Sequence, residues 1–397
     1  MAAGNGNAPA SIATYHDTPD RRLARAGIVL SRRMVNGVGM WETEIAGRVV
    51  TARGGPVAVP RALARRLVVP LRHAELVEVA RLRTGADDVA LLEGSRVVRT
   101  YPDLARAIHD AIEPQNVAAP AKTAPAVDHV RAYLARQVAA IERTDPMVRT
   151  GDDEEAVHDL RVAIRRSRAV LRTASRLFDP GWVASLRAEL KWLAGETAPL
   201  RDLDVLLSSI GSGAEADLAR VVKELEGERE DARLRLRAAL DSGRYFALID
   251  ELRLAVEHPP VRNVDASLRK LARAEFERLR CRMDALGARP TDAALHRARI
   301  SAKRSRYAAE LATPVVGKPA EKFVVAAKAL QEVAGAHQDA VVAEARIRAA
   351  AKQTRSAGAA FAAGRFVERQ TTRQKQARSA VPKVWRRLER RGRKAWA

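Results

Sequence analysis

The sequence predicts a mainly α protein, with two tandem antiparallel helical bundles preceded by a small α+β segment. Three observations carry this expectation. From about residue 127 onward the apolar residues recur with a helical period, as in Leu160, Ile164 and Leu171. Separate blocks of that region repeat in one order at one spacing. Residues 11 to about 100 instead read as short alternating runs broken by Gly-Pro and Asn-Gly turns.

Within the first part, "GIVLSRRMV", "MWETEIAGRVVTA" and "LVEVARLRT" have the pattern of strands, with "VPRALARRL" a short helix between them. "YPDLARAIHDAI" (101–112) reads as a helix with Asp103 in its first turn. A Pro/Ala stretch, 113–126, follows as a linker. Helices are then expected near 127–144, 153–178, 181–195, 199–209 and 214–241, the last extending to 257 if Gly243 does not end it. After the breaker "EHPPVRN" come 264–286, 291–313, 318–334 and 337–357, and a basic helix or helix pair within 359–396. The domains so drawn are 1–112, the linker 113–126, a first bundle over 127–258 and a second over 259–397.

The segment 158–178 holds six arginines and no acid between Asp159 and Asp179. At about 100° per residue, His158, Arg161, Arg165, Arg168, Arg172 and Arg176 fall in one arc of roughly 80°, opposite the apolar side. The row runs for about 27 Å. His296, Arg299, Lys303 and Arg306 repeat the first four offsets, and Arg304-Ser305-Arg306 repeats Arg166-Ser167-Arg168, at a shift of 138 residues. Downstream, "KWLAGETAPLRD" pairs with "KALQEVAGAHQD" at a shift of 137, matching Lys191 with Lys328 and Asp202 with Asp339. Arg201 has Gln338 as its counterpart, so the halves need not bind alike. One such row could be a solvated face. Two rows with identical offsets in a chain of net charge +22 point to a polyanion, since like charges along a face repel and a condensed anion relieves them.

The excess of arginine over lysine favours forked phosphate contacts, although base composition of a genome also enriches arginine. The candidate partners by charge alone are DNA, RNA, an anionic membrane and inorganic polyphosphate. No run approaches the roughly 18 apolar residues of a membrane span, and the first twenty residues lack a secretory layout, which places the expected location in the cytosol. The lone Cys281 is expected in a helical core. His158 and His296 lie on the arginine side and have no companions at metal-ligand spacing, so they are expected as phosphate donors. No metal site, cofactor or catalytic residue is expected. Asp202, Asp204 and Asp339 would repel phosphate directly and are expected to cap helices or orient an arginine.

The stretches "AVHDLRVAIRRSRAVL", "LKWLAGETAPLRDLDVLL", "LHRARISAKRSRYAAEL" and "LQEVAGAHQDAVV" resemble the CHAD family, the conserved-histidine α-helical domain, across about residues 127–397. The resemblance implies two four-helix bundles related by pseudo-symmetry, and non-catalytic binding of inorganic polyphosphate through facing basic surfaces. Polyphosphate granules are the location it suggests. The implied binding residues are His158, Arg161, Arg165, Arg166, Arg168, Arg172, Lys191, Arg201, His296, Arg299, Lys303, Arg304, Arg306 and Lys328. "TYHDTPDRRLARAGIVLSRR", "MWETEI", "VPRAL" and "VARLRT" resemble part of the CYTH, or triphosphate tunnel, domain. That resemblance implies tunnel arginines at Arg32, Arg33, Arg81 and Arg83. The metal-holding Glu-x-Glu-x-Lys strand does not precede these motifs, and Glu44 stands where the family has lysine after its tryptophan. The expectation is a degenerate partial domain too short for a closed eight-stranded tunnel.

Two other function classes compete. Non-specific DNA or RNA binding suits the charge, but aromatics are 4% and none interleaves with the rows. A metal-dependent triphosphatase or polyphosphatase would need carboxylates, for which Glu42 and Glu44 on one strand are the only N-terminal candidates. No GxxxxGK[ST] or GxSxG pattern is present.

Overall fold

The computed structural model describes residues 11–112, 119–151, 153–211, 218–264, 266–287, 290–353 and 356–397. The predicted linker lies outside the described residues as far as 118, as does the predicted helical start at 214–217. Two compact units result, one of residues 1–118 with 138–160 and one of 119–137 with 161–397.

The first unit is built on an antiparallel sheet of β1 (Ser11–Asp17), β2 (Ile28–Val35), β3 (Val38–Ile45), β4 (Arg48–Arg53), β5 (Val77–Thr84), β6 (Val89–Glu93) and β7 (Arg96–Tyr101). The order is β4-β3-β2-β1-β5-β6-β7, with β4 and β7 as edges, so the sheet formed by the described residues is open rather than a closed tunnel. The expected strand "MWETEIAGRVVTA" is two strands, turned at Ala46 and Gly47, both at positive φ (50° and 75°). Asn36-Gly37 turns β2 into β3 in the same way, the pairing that right-handed strand twist favours. The short helices α1 (Arg22–Arg25) and α2 (Arg61–Ala64) lie in the connections, and α3 (Leu104–Ala111) follows β7. Buried Asp17 fixes α1 by accepting from Leu23 N at 2.8 Å and Ala24 N at 3.0 Å. Asp103 caps α3 through Arg106 N at 2.7 Å.

The helical region comprises α4 (Ala126–Thr150), α5 (Glu154–Thr173), α6 (Pro180–Glu196), α7 (Ala198–Ile210), α8 (Ala219–Leu240), α9 (Gly243–Glu257), α10 (Leu268–Asp284), α11 (Asp292–Val316), α12 (Lys318–Ala351) and α13 (Ala357–Trp396). The boundary between the units falls within α4 and α5. The chain is therefore mainly helical behind an N-terminal antiparallel sheet, as expected. In the second unit α10 to α13 pack as consecutive neighbours, and α6 to α9 pack among themselves. Leu206, Ile210 and Leu225 share one hydrophobic cluster with Ala343, Ile347, Ala362 and Phe366, which joins the repeated halves.

Several expected breaks are absent or displaced. The two helices predicted at 318–334 and 337–357 are the single helix α12, because one glycine inside a helix costs only about 1 kcal/mol and cannot end it. Its counterpart does break, into α6 and α7 at Thr197. Pro199 lacks the amide proton that would continue the ladder, and Ala336 stands at the matching place of the second half. The helix expected over 214–241 ends at Leu240 with Asp241 as its C-cap, so the alternative extension past Gly243 does not occur, and Ser242 caps α9 through Tyr245 N at 3.2 Å. Cys281 is exposed, not in the core: Ala272, Phe276, Leu279 and Met283 occupy the buried face of α10, on the other side of the helix.

The C-terminal end of α13 docks through an aromatic chain, with Phe276 and Phe323 at 5.6 Å between ring centroids and Phe323 and Trp396 at 5.4 Å. Gly392 lies against Phe276 so closely that a Cβ would overlap the ring. Gly392→Val is expected to lower the unfolding free energy by about 2 kcal/mol, since overpacking outweighs the few tenths that valine gains over glycine in a helix. Denaturant unfolding monitored by helical circular dichroism checks this, and an unchanged midpoint would contradict the docking.

Candidate functional site

The two basic rows lie on α5 and α11, each held by an apolar back. Leu160, Ile164 and Leu171 are buried behind the first row, and Leu295, Ala298 and Ala302 behind the second. Arg161, Arg165, Arg166, Arg168 and Arg172 are half-buried, as are His296, Arg299, Lys303 and Arg306. His158 is half-buried one turn before Arg161.

Contacts in the second unit bring the rows together. Arg165 Nε donates to Tyr307 Oη at 2.6 Å. Arg166 Nε stands 3.3 Å from Glu310 Oε2, and Arg306 Nε 3.3 Å from Glu310 Oε1. Tyr133 Oη donates to the same carboxylate at 3.1 Å. Glu310 thus joins one arginine from each repeat, and desolvation together with its charge pushes the Tyr133 phenol up. Further along, Arg172 Nη2 lies 3.5 Å from Glu275 Oε2.

The repeats secure their leading arginines differently. Arg161 Nη1 donates to Ala194 O at 3.3 Å and Thr197 Oγ1 at 3.2 Å. Arg299 Nη2 is 4.0 Å from Asp339 Oδ1. His296 Nδ1 meets Gln338 Oε1 at 2.8 Å. The aspartates flank arginines rather than cap helices: Asp339 faces Arg299, the charge of Asp202 acts on Arg161, and Asp204 accepts from Arg229 Nε at 2.6 Å.

Positive charge exceeds what these acids neutralise. Burial, then the fields of Arg299 and Arg165, push the Lys303 ammonium down to about 7; Arg306 adds to the push and Asp339 opposes it. Desolvation raises the Asp339 carboxyl against the pull of Arg299, Lys303 and Arg201, with Asp202 adding to the rise. Burial lowers Arg161, Arg299 and Arg168, and brings Arg172 down to about 10, which still leaves a cation at neutral pH. Nε of Arg168 and Arg299 are buried without a hydrogen-bond partner among the described residues, while Nε of Arg166 and Arg306 and Nη2 of Arg172 have only their ion-pair contacts to Glu310 and Glu275, outside hydrogen-bond geometry. Such donors are costly to leave unmet, and phosphate oxygens would meet them.

Some expected residues stand apart. Lys191 and Arg304 are exposed, though the charge of Arg304 reaches Arg172. Lys328 is exposed and lies 3.8 Å from Glu332 on its own helix. Arg201 is half-buried on α7, and its charge bears on Arg161 and Asp339. Sequence reading missed Arg187 on α6, whose charge acts on both Arg168 and Arg172. It sits one turn before Lys191, but the repeat hides it, since its counterpart is Val324. Tyr307 and Glu310, which tie the rows together, were also missed, because each lies outside the matching arginine offsets.

In the first unit, register places Arg32, Trp41, Arg81 and Arg83 on one face of the sheet, and Arg33, Glu42 and Glu44 on the other with Tyr15. The four expected tunnel arginines therefore do not share a face. Glu42 Oε2 pairs with Arg33 Nη2 at 3.2 Å. Among the described residues no group of three or more His, Cys, Asp or Glu side chains is placed to hold a metal ion. No helix among them is long and apolar enough to cross a membrane.

The CHAD domain family model matches residues 132–348, from α4 to the last turn of α12. Two curated relatives from Mycobacterium tuberculosis, uncharacterized protein MT2285 (strain CDC 1551 / Oshkosh) and uncharacterized protein Rv2226 (strain ATCC 25618 / H37Rv), are each 29% identical over 298 residues, 68% of this chain and 55% of theirs. The chain spans about half the length of these relatives. Among solved structures, PptA from Streptomyces chartreusis aligns with a TM-score of 0.55 at 26% identity, over 66% of this chain and 100% of that one. The CHAD domain from the plant Ricinus communis aligns with a TM-score of 0.55 at 26% identity, over 68% of this chain and 96% of that one. The N-terminal sheet is consistent with a CYTH-like fold. The family match takes in both basic rows and covers more than half of the sequence, and the chain belongs to the CHAD domain family.

Proposed function

We propose that the seam between the α5 and α11 rows binds inorganic polyphosphate without turning it over. The observation that carries this reading is the meeting of the two rows, where Arg165 bonds to Tyr307 and Glu310 holds Arg166 and Arg306 together, beside a Lys303 whose charge burial and then Arg299, Arg165 and Arg306 disfavour. Such a cluster is unfavourable when empty and favourable around an anion, and a flexible linear polyanion can follow two continuous rows. His158 and His296 add donors at the head of each row. The cationic rows supply donors for phosphate oxygens, which is the chemistry of binding. A cytoplasmic setting, with the chain held at polyphosphate deposits, follows from this reading.

Calorimetric titration with long-chain polyphosphate at about 150 mM salt, where weak non-specific contacts are screened, tests it. Saturable binding is expected, with no orthophosphate released on prolonged incubation with magnesium. Absence of binding would remove the reading; release above the protein-free rate would remove its non-catalytic part.

A further inference from the structure

The last three turns of α13 carry a second cationic surface, built differently from the seam. Taking Lys383 as the origin and about 100° per residue, Arg387, Arg390 and Lys394 fall within roughly 60° of one another and of Lys383. Arg386 and Arg391 border this stripe on either side, widening it to an arc of about 140°. Val381, Leu388, Gly392, Ala395 and Trp396 are buried on the opposite side and fix the helix on its bundle. Lys383, Arg386, Arg387, Arg390 and Lys394 are exposed, and Arg391 is half-buried.

These cations have no acidic partner among the described residues, unlike Arg378 earlier on α13. Arg378 bonds to Asp292 and Pro290 O, Arg369 lies 5.7 Å from the Phe366 ring, and Arg365 lies 6.0 Å from the Phe361 ring. The one acid in the final turns, Glu389, lies off the stripe and is taken by Arg393 at 2.7 Å. On neighbouring α10, Glu277 is likewise taken by Arg280 at 2.8 Å. The fields of Glu277 and Asp284 fall on Arg393, off the stripe, and no acid among the described residues pairs with Lys383, Arg387, Arg390 or Lys394.

The geometry points to duplex nucleic acid as the partner of this α13 face, bound through its phosphates and without sequence preference. A helix with its side chains is about 10–12 Å across, close to the roughly 12 Å width of the DNA major groove. The stripe runs for about 17 Å, and its borders, Arg386 and Arg391, are set to reach opposite walls of such a groove. A single polyphosphate chain would engage only one line of so broad and convex a band. Single strands would want stacking aromatics, but Trp396 is buried on the far side of the helix and Trp385 also lies off the band. The band offers only cations, which position a phosphate backbone.

The test is fluorescence anisotropy on the full chain with two unrelated duplexes of about 20 base pairs, a matching single strand and long-chain polyphosphate, across a salt series. The variant Lys383→Ala, Arg387→Ala, Arg390→Ala, Lys394→Ala should bind both duplexes at least tenfold more weakly. Its salt slope should be shallower by about 3 to 4, with polyphosphate binding unchanged. The proposal is overturned if this variant holds duplex like the parent, or if single strands bind the parent as tightly as duplex. It is equally overturned if the variant loses polyphosphate instead, or if duplex binding disappears only when Arg165, Arg299 and Lys303 are replaced.

Discussion

Replacing Arg165, Arg299, Lys303 and Arg306 together by alanine is expected to weaken long-chain polyphosphate binding by about 100-fold or more at physiological salt. Charge-assisted hydrogen bonds contribute roughly 1.5–3 kcal/mol each, and the loss of only two such contacts reaches that factor. The salt slope should flatten by about 3, on the counterion release found for single-stranded polyanions. Because Arg165 bonds to Tyr307 and Arg306 to Glu310, the same variant also loses two ties between the rows. Its folding is therefore checked by thermal unfolding. Replacing Arg220, an exposed cation on α8 whose partner Glu224 is on the same helix, is the matched control and should leave affinity within about twofold.

Polyphosphate binding is also expected to take up a proton at Lys303. In the free protein this group is protonated only below about 7, because burial and Arg299, Arg165 and Arg306 oppose its charge. A bound phosphate reverses that field and raises the value. From about pH 7 up to the raised value, binding draws in a proton, so affinity falls as pH rises, by at most about tenfold per unit. Below that window Lys303 is charged in both states and adds no slope. Lys303→Met should remove the slope above neutrality, and titrations in buffers of differing ionisation enthalpy would show the proton directly. Stability has its own sign: the unfolded chain binds more protons than the folded one between about pH 7 and the ordinary lysine value of 10.5, so the free protein gains stability as pH rises through that window. Lys303→Met should accordingly raise the melting temperature at pH 6. A slope unchanged by this substitution would place the titrating group elsewhere.

The rows were legible in the sequence because helical phase and a repeat are both local, countable properties. Helical phase alone places His296, Arg299, Lys303 and Arg306 on one face, and the structure puts the α11 row beside that of α5. What joins the rows was not legible. Tyr307 and Glu310 act across about 140 positions of sequence, and only packing reveals that Arg165 and Arg166 end beside them. Arg187 escaped for the opposite reason, since a search guided by the repeat discards a cation whose counterpart is Val324. Helix ends followed a similar division. Ser242 and Pro199 act through a missing or captured amide and mark breaks, whereas Gly335 merely weakens a helix that its packing sustains. In the first unit, strand alternation was visible but pairing was not, and register alone separates Arg33 from Arg32, Arg81 and Arg83. Exposed Lys328, with its own Glu332, shows the limit of reasoning by repeat: matching places need not receive matching roles.

The central claim is that the α5 and α11 rows form a dedicated seat for polyphosphate rather than a general attraction for polyanions. Competition binding at about 150 mM salt tests it most directly, with labelled long-chain polyphosphate challenged by duplex DNA, single-stranded RNA and short-chain phosphate at equal phosphate concentration. Polyphosphate is expected to stay bound against both nucleic acids, and the variant lacking Arg165, Arg299, Lys303 and Arg306 to fail to hold it. Displacement by DNA or RNA at equal phosphate, or full retention by that variant, would contradict it.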